Sequence, residues 1–486
     1  MLTRFILSLF ILQCFYASSA FSLSGDVSGT WTLADSPVLI NGDIRIPTGS
    51  TLIISPGVTV SFDARHTFTV NGKLQAIGSS QKKIVFTRTN PTEASKWGGI
   101  EFLSANNTSV LEYCIIEYAK GDGGSPAVRG GAVYIDNCSP TIRNCLIQLN
   151  YTHNSDKNGA GGAIYLHDNS SSLIENNHLT DNETDSGGAI YIGGNSSWPT
   201  IKNNLIENNL AHSSGGGIYV ATQAKSFIFN NTIRGNTANY WGGGGITLWN
   251  NYCHTSPCTD VYNNVIYGNN ATNGGGIYCR YNVSNQFNNT ITQNSASQKG
   301  GGIYVLNQGN FTPTITNSIV WNNNAPTDSQ ISLEAVTSSA AEVTYSNVQG
   351  SWNGTGNLNS QPLFANSITG DFRLLPQSPG IDAGNNNLST MPDFDFAGNN
   401  RIIEGDNTVP AKVDTGASEF DPNTPVPADI NGNSSIDLVD TILILQLIAG
   451  IDIGLTGDIS DTDINQDGNV GLAEAIYSIQ HISTQP

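Results

Sequence analysis

Residues 161–182 read GGAIYLHDNSSSLIENNHLTDN: a Gly-Gly pair, a short alternating apolar run, then asparagine-bearing segments. The opening phrase recurs as GGAVYI (130–135), GGAIYL (161–166), GGAIYI (187–192), GGIYV (216–220), GGITL (244–248), GGIYC (275–279) and GGIYV (301–305). Seven copies in one chain make an internal repeat. Behind each copy stands an asparagine, at Asn144, Asn176, Asn203, Asn230, Asn263, Asn288 and Asn317, and a second follows six residues later, at Asn150, Asn182, Asn209, Asn236, Asn269, Asn294 and Asn323. The period runs from 25 to 33 residues. Within a copy Ile218 and Val220 point to one side of a strand and Tyr219 to the other. No helical period appears. Short strands parted by Gly and Asn corners at this period predict a solenoid, one coil per repeat, with coils stacked ~4.8 Å apart. Both asparagine columns are expected to be structural. An amide that donates to one neighbouring coil and accepts from the other satisfies turn backbone that would otherwise be buried unpaired.

The composition agrees with corners and short strands. Of 486 residues 52 are glycine and only 12% are charged, against ~25% charged in ordinary globular chains. The net charge of −19 argues against nucleic acid and favours a divalent cation as partner. Met1 to Ala20 carries Arg4, an apolar run from Phe5 to Leu12 and a small-residue end, Ser18-Ser19-Ala20, the form of a secretory signal peptide cleaved after Ala20. No other apolar run approaches the ~20 residues of a membrane span. The expected product is secreted, extracellular or on the cell surface. In an oxidising compartment Cys253 and Cys258, which bracket a short loop, are the preferred disulfide among the six remaining cysteines, the others being Cys114, Cys138, Cys145 and Cys279. A zinc site at His254 lacks a second pair of ligands.

On these repeats the chain from 21 to about 350 resembles secreted right-handed parallel β-helix proteins of the pectin-lyase-like superfamily. The GGAIY phrase with its asparagine-bearing strands is also similar to the repeats of bacterial polymorphic outer-membrane adhesins. The expected organisation is a signal peptide (1–20), an N-terminal cap and first coils (21–120), parallel β-helix repeats (121–350), C-terminal coils and cap (351–420), a Pro-rich linker (421–428) and a C-terminal module (429–486). The segment from Gln361 to Phe420 is similar to a tail that follows many bacterial β-helix domains. Its acids, Asp371, Asp382, Asp393, Asp395 and Asp414, are expected to form turns rather than to bind a ligand.

From residue 421 to the end there are ten acidic residues and no Lys or Arg. Asp463, Asn465, Asp467, Gly468, Asn469 and Glu474 match a calcium loop at positions 1, 3, 5, 6, 7 and 12, with oxygen ligands on a tight turn that suits a hard cation. A weaker copy, Asp429, Asn431, Asn433, Ser435 and Asp440, places Ser434 at the glycine position and Asp at position 12. The run LVDTILILQLIAG follows as a helix, with apolar residues at 438, 442, 443, 445 and 448 and Gly450 at its end. Paired loop-helix units with Asp at position 12 of the first resemble a dockerin, the module by which secreted polysaccharide-degrading enzymes dock onto cohesins. The resemblance implies Ca²⁺ and a cohesin-bearing scaffold or cell-surface protein as partner, contacted through positions 10 and 11, here Leu438, Val439, Leu472 and Ala473. A tail that packs on its own solenoid is the alternative.

The fold class is therefore all-β, a right-handed parallel β-helix solenoid, plus a small α-helical C-terminal module with two EF-hand-like calcium loops. A β-eliminating polysaccharide lyase needs clustered acids and an Arg or Lys base on one outward face. Arg143, Glu175 and Lys202 form one such row, on which a solvated charge ladder is the competing reading. Asp136 and His167 fall one coil apart. Paired-carboxylate hydrolysis would need an Asp-Asp cluster that the repeats lack. Aromatic residues point instead to sugar stacking: Phe229, Tyr262 and Phe287 in one outward row, Tyr267 and Trp321 in a neighbouring one. The leading functional reading is polysaccharide binding or breakdown, with a pectate-lyase-like enzyme and an adhesin or surface structural protein as alternatives.

Overall fold

Thr, Ile, Leu and aromatic residues fill short strands, and each coil threads three of them. Leu173–Glu175 lies in a first ladder, His178–Thr180 in a second and Ile190–Ile192 in a third, before Thr200–Lys202 re-enters the first. The computed structural model describes residues 22–90, 96–121, 130–152, 158–221, 224–249, 259–307, 312–335, 341–388, 391–405, 411–423, 426–433, 436–451, 453, 462–464 and 469–484. The first ladder is a 12-stranded sheet; the other two form a 23-stranded sheet because Val38–Ile46 pairs with both stacks near their start. A 5-stranded sheet, from Glu183–Ser186 to Ser295–Lys299, extends one corner. Every pairing among these coils is parallel, and like falls on like: Ile174 opposes Ile201, then Ile228 and Val261. This column and that of Ile147, Leu179, Ile206, Ile233, Ile266 and Ile291 are fully buried, each side chain contributing ~1.5–3 kcal/mol of hydrophobic stabilisation.

The two corners around the second ladder share one construction, a left-handed residue followed by a buried asparagine. At the first corner Asn144, Asn176, Asn203, Asn230, Asn263, Asn288 and Asn317 have φ of 50 to 55°, a conformation Asn tolerates. The residues behind them, Asn177, Asn204, Asn231, Asn264 and Asn289, are buried and carry the amide ladder. The Oδ1 of Asn204 accepts from the N–H and Nδ2 of Asn177 at 2.9 and 3.0 Å, while its Nδ2 donates to Ile174 O and to Asn231 Oδ1. At the second corner the ladder is Asn150, Asn182, Asn209, Asn236, Asn269, Asn294 and Asn323, capped by Gln330. The second predicted column is thus an amide ladder as expected. The first is not: it sets the left-handed turn, and its ladder lies one residue later.

The paired glycines have two separate causes. Gly161 has φ of +68°, and a Cβ on Gly162 would lie 2.2 Å from the carbonyl oxygen of Gly188 in the next coil.

The chain after the last coils folds back along the solenoid and uses the outward corner asparagines as attachment points. Asn263 Nδ2 donates to Phe394 O at 2.8 Å, and Asn317 exchanges two hydrogen bonds with the backbone of Asn385. The antiparallel hairpin Phe364–Asn366 and Asp371–Leu374 then meets two helices, α1 (Leu438–Ile448) and α2 (Leu472–Thr484). Ile430, Ile436, Ile444, Ala475 and Tyr477 pack with Ala365 and Leu375, and the Tyr477 hydroxyl donates to Ala365 O. In α1 the buried residues are Asp440, Thr441 and Ile444. The predicted apolar stripe behaves differently: Leu438, Ile442, Leu445 and Ile448 are exposed. Cys114, Cys138, Cys145 and Cys279 are buried free thiols. Met1–Ala20 and the Cys253–Cys258 pair lie outside the described residues.

Candidate functional site

The acid-base row comes together as its spacing predicts. Glu112, Arg143, Glu175 and Lys202 occupy consecutive coils of the first ladder. They pair as Arg143 with Glu112 at 2.8 Å and Lys202 with Glu175 at 3.1 Å. The hydrogen bond to Glu112 holds the Arg143 guanidinium protonated more firmly than usual. A base for β-elimination needs the opposite, so the row has the electrostatics of a charge ladder. The second ladder repeats the pattern: Glu207 accepts from His178 at 2.8 Å and from Arg234 at 2.6 Å, and Arg234 donates to the Tyr267 hydroxyl. Asp136 and His167 are hydrogen-bonded at 3.1 Å. Arg143→Ala, which removes only a half-exposed pair, is expected to shift stability by about 1 kcal/mol or less, read by urea denaturation.

Phe229, Tyr262 and Phe287 stack with centroids 4.7 and 4.8 Å apart and planes within 5°. Phe287 is only 3% exposed, so the row offers Phe229 and Tyr262 rather than a long strip. Tyr267 is met edge-on by Phe372 at 4.9 Å. Trp321 is half-buried against Leu374 and Ile381 of the returning tail and lines a cleft beside it. Spacing within the repeats places these rings correctly, but it carries no signal of the tail that packs on Tyr267 and Trp321. It also misses an exposed group at another corner. Tyr240 and Trp241 stand out from the surface, and Arg280 lies over Trp249 at 4.0 Å, with Tyr281 at 4.9 Å and Trp241 at 5.9 Å. Tyr240-Trp241 sits just before the glycine run, outside the aligned columns.

In the C-terminal module the described loop residues are Asp429, Asn431, Asn433 and Asp440, and Asp463, Asn469 and Glu474. Ser435, Asn465 and Asp467 lie outside the described residues. Both loops close in the same way. Asp440 accepts from the N–H of Ile430 at 3.0 Å and of Asp437 at 2.9 Å; Glu474 accepts from Ile464 at 3.2 Å and Gly471 at 2.6 Å. These donors are positions 2 and 9 of each loop. Both carboxylates are almost wholly buried, and burial pushes the Asp440 carboxyl up. Among the described residues no group of three or more His, Cys, Asp or Glu converges on a metal position. Even so, two buried carboxylates, each at the closing position of an acid-rich loop, fit a hard cation with oxygen ligands, which would supply a counter-charge.

The tail holds a second charged cluster, built for structure. Arg401 pairs with Glu419 at 3.1 Å, both fully buried, and donates to the carbonyls of Gly416 and Ala417. Asp395, Asp382 and Asp414 accept backbone N–H groups of the surrounding turns, the turn-forming role their spacing predicts. Burial pushes the Asp414 carboxyl up to about 7, against the pull of the Asp382 and Phe420 amides. Its usual unfolded value is ~3.9. The folded state therefore holds the proton more tightly, and this stabilisation, complete below the unfolded value, is lost as pH rises through about 7. Melting in chelator is expected to fall between pH 5 and pH 8, and Asp414→Asn should flatten that slope.

A family model described as a right-handed β-helix region matches residues 44–257, and a Chlamydia polymorphic membrane protein repeat matches residues 290–306. The class that fold and comparisons define is the right-handed parallel β-helix. No curated protein and no solved structure gives a match. No helix among the described residues is long and apolar enough to cross a membrane.

Proposed function

We propose that the protein is a secreted, polysaccharide-associated β-helix held on a partner by a calcium-loaded, dockerin-like C-terminal module. The observation that carries this reading is the exposed apolar face of α1 and α2. Leu438, Val439 and Leu472 are 62, 51 and 64% exposed, and they are positions 10 and 11 of the two loops. Ile442, Leu445, Ile476 and Ile479 continue the face. The other side of the module already packs on the hairpin through Tyr477, so the exposed side is free for a second protein. A contiguous apolar patch of this kind on an exported protein marks an interaction surface. Sugar association draws its support from the outward rings, Phe229, Tyr262, Trp241 and Trp249, on a rod whose repeat suits a linear polymer.

The full-length chain is expected to be captured by an immobilised cohesin module with calcium and released by chelator, and the double variant Leu438→Asp, Leu472→Asp should not be captured. Calcium-independent capture, or none, would sink the docking half. Incubation with polygalacturonate or alginate separates the lyase alternative, because β-elimination creates an ultraviolet-absorbing double bond. The paired state of Arg143 and Lys202 leads us to expect none. The adhesin alternative rests on the polymorphic-membrane-protein repeat and predicts surface binding without retention by any polysaccharide.

A further inference from the structure

A cleft of about 380 Å³ opens where the C-terminal hairpin lies across the corners of the second ladder. That size falls within the ~300–1,000 Å³ of small-molecule sites. Trp321 and Phe364 supply its aromatic walls, and Gln293, Asn322, Gln349 and Gln361 its polar ones; no lining residue carries a charge. Part of this amide set is committed. Gln293 Nε2 donates to Ser367 O at 3.1 Å, and Gln349 Oε1 accepts from the N–H of Asn322 at 2.8 Å and from Gln330. The remainder is not: the side-chain amides of Asn322 and Gln361 and the Nε2 of Gln349 make no hydrogen bond among the described residues.

Those features select a ligand class. An amide offers a donor and an acceptor side by side, which matches the vicinal hydroxyls of a sugar, and an indole face takes the C–H face of a pyranose ring. A uronate would enter with its carboxylate unpaired, at the cost of burying a charge without a partner. We propose that this cleft is a binding subsite for a neutral sugar residue of a polysaccharide. The proposal rests on the polysaccharide-associated reading and narrows it to uncharged glycans. Gln293 and Asn322, at equivalent corners of successive coils with φ of 56 and 54°, hold the amide wall in place, and the hairpin closes it.

Affinity electrophoresis of the full-length protein in gels loaded with xylan, galactomannan or mixed-linkage β-glucan, and in parallel with polygalacturonate and alginate, tests it. At least one neutral polymer should retard migration. Gln361→Ala, at an exposed residue without a hydrogen bond, should weaken retardation about tenfold with an unchanged melting temperature, and Trp321→Ala should weaken it further. Retardation by the anionic polymers alone would overturn the cleft while leaving polysaccharide association standing. Retardation by a neutral polymer that neither variant changes would do the same. No retardation by any polymer would overturn both.

Discussion

Asn231→Ala should lower the unfolding free energy by roughly 3 kcal/mol or more, while Asn230→Gly, one residue earlier, should change it by about 1 kcal/mol or less. Both are asparagines of one Asn-Asn pair, and Asn230→Ala alongside them compares the same substitution at the two positions. Asn231 is fully buried; its Oδ1 accepts from the N–H and Nδ2 of Asn204, both at 3.0 Å, and its Nδ2 donates to Ile201 O and Phe229 O, both at 2.9 Å. Alanine strands several of these groups in a closed interior, and each unpaired buried group costs ~1–3 kcal/mol. Asn230 has φ of 54°, where glycine is at least as comfortable, and its own Oδ1 accepts no hydrogen bond among the described residues. Alanine at 230 would instead meet the left-handed penalty of ~1–2 kcal/mol. Urea denaturation of the three variants separates the roles. Equal losses at 230 and 231 would show that the turn conformation, and not the amide ladder, dominates coil stacking.

This pair also shows how far a sequence reading reaches. Repetition reveals that asparagine recurs at a corner, because stacked coils impose one environment on every copy. It does not distinguish the residue that makes the turn from the residue that uses it, since Asn suits both tasks and only the backbone dihedral decides. The outward rows are legible for the same reason as the core: Arg143, Glu175 and Lys202 are neighbours because the period is uniform. Their covering is not legible. Tyr267 and Trp321 read as an open outward row until the tail, which has no repeat, returns across the later coils, packs on both rings and binds through Asn263 and Asn317. The cleft at Trp321 arises from that return, so no periodicity points to it. In α1 the spacing of apolar residues predicts a helix, yet the hydrophobic positions outnumber what one small core can hold. Ile444 goes inward, and Leu438, Ile442 and Leu445 remain outside.

Removing calcium should melt the C-terminal helices while leaving the solenoid folded. In excess calcium the module should unfold at a higher temperature, stabilised by about 4 kcal/mol when the free ion is a thousandfold above its Kd. The small core of Ile430, Ile436, Ile444, Ala475 and Tyr477 must otherwise hold together a segment with ten acidic residues and no Lys or Arg, whose carboxylates repel one another. Two of those carboxylates, Asp440 and Glu474, are buried, and among the described residues their hydrogen-bond donors are backbone amides. A cation within each loop would turn that cost into attraction. The loops should differ by sequence: Glu474 would offer a metal both oxygens from a loop with Gly468 at position 6, whereas the other loop closes with Asp440, one methylene shorter, and has Ser434 at position 6. Glu474→Ala is therefore expected to remove the tighter calorimetric binding event and Asp440→Ala the weaker one. Acid should act like chelator, because protons compete for the ligands. Scanning calorimetry of the whole chain reads both transitions at once. If chelator lowers neither, or lowers the solenoid transition first, the module folds without metal.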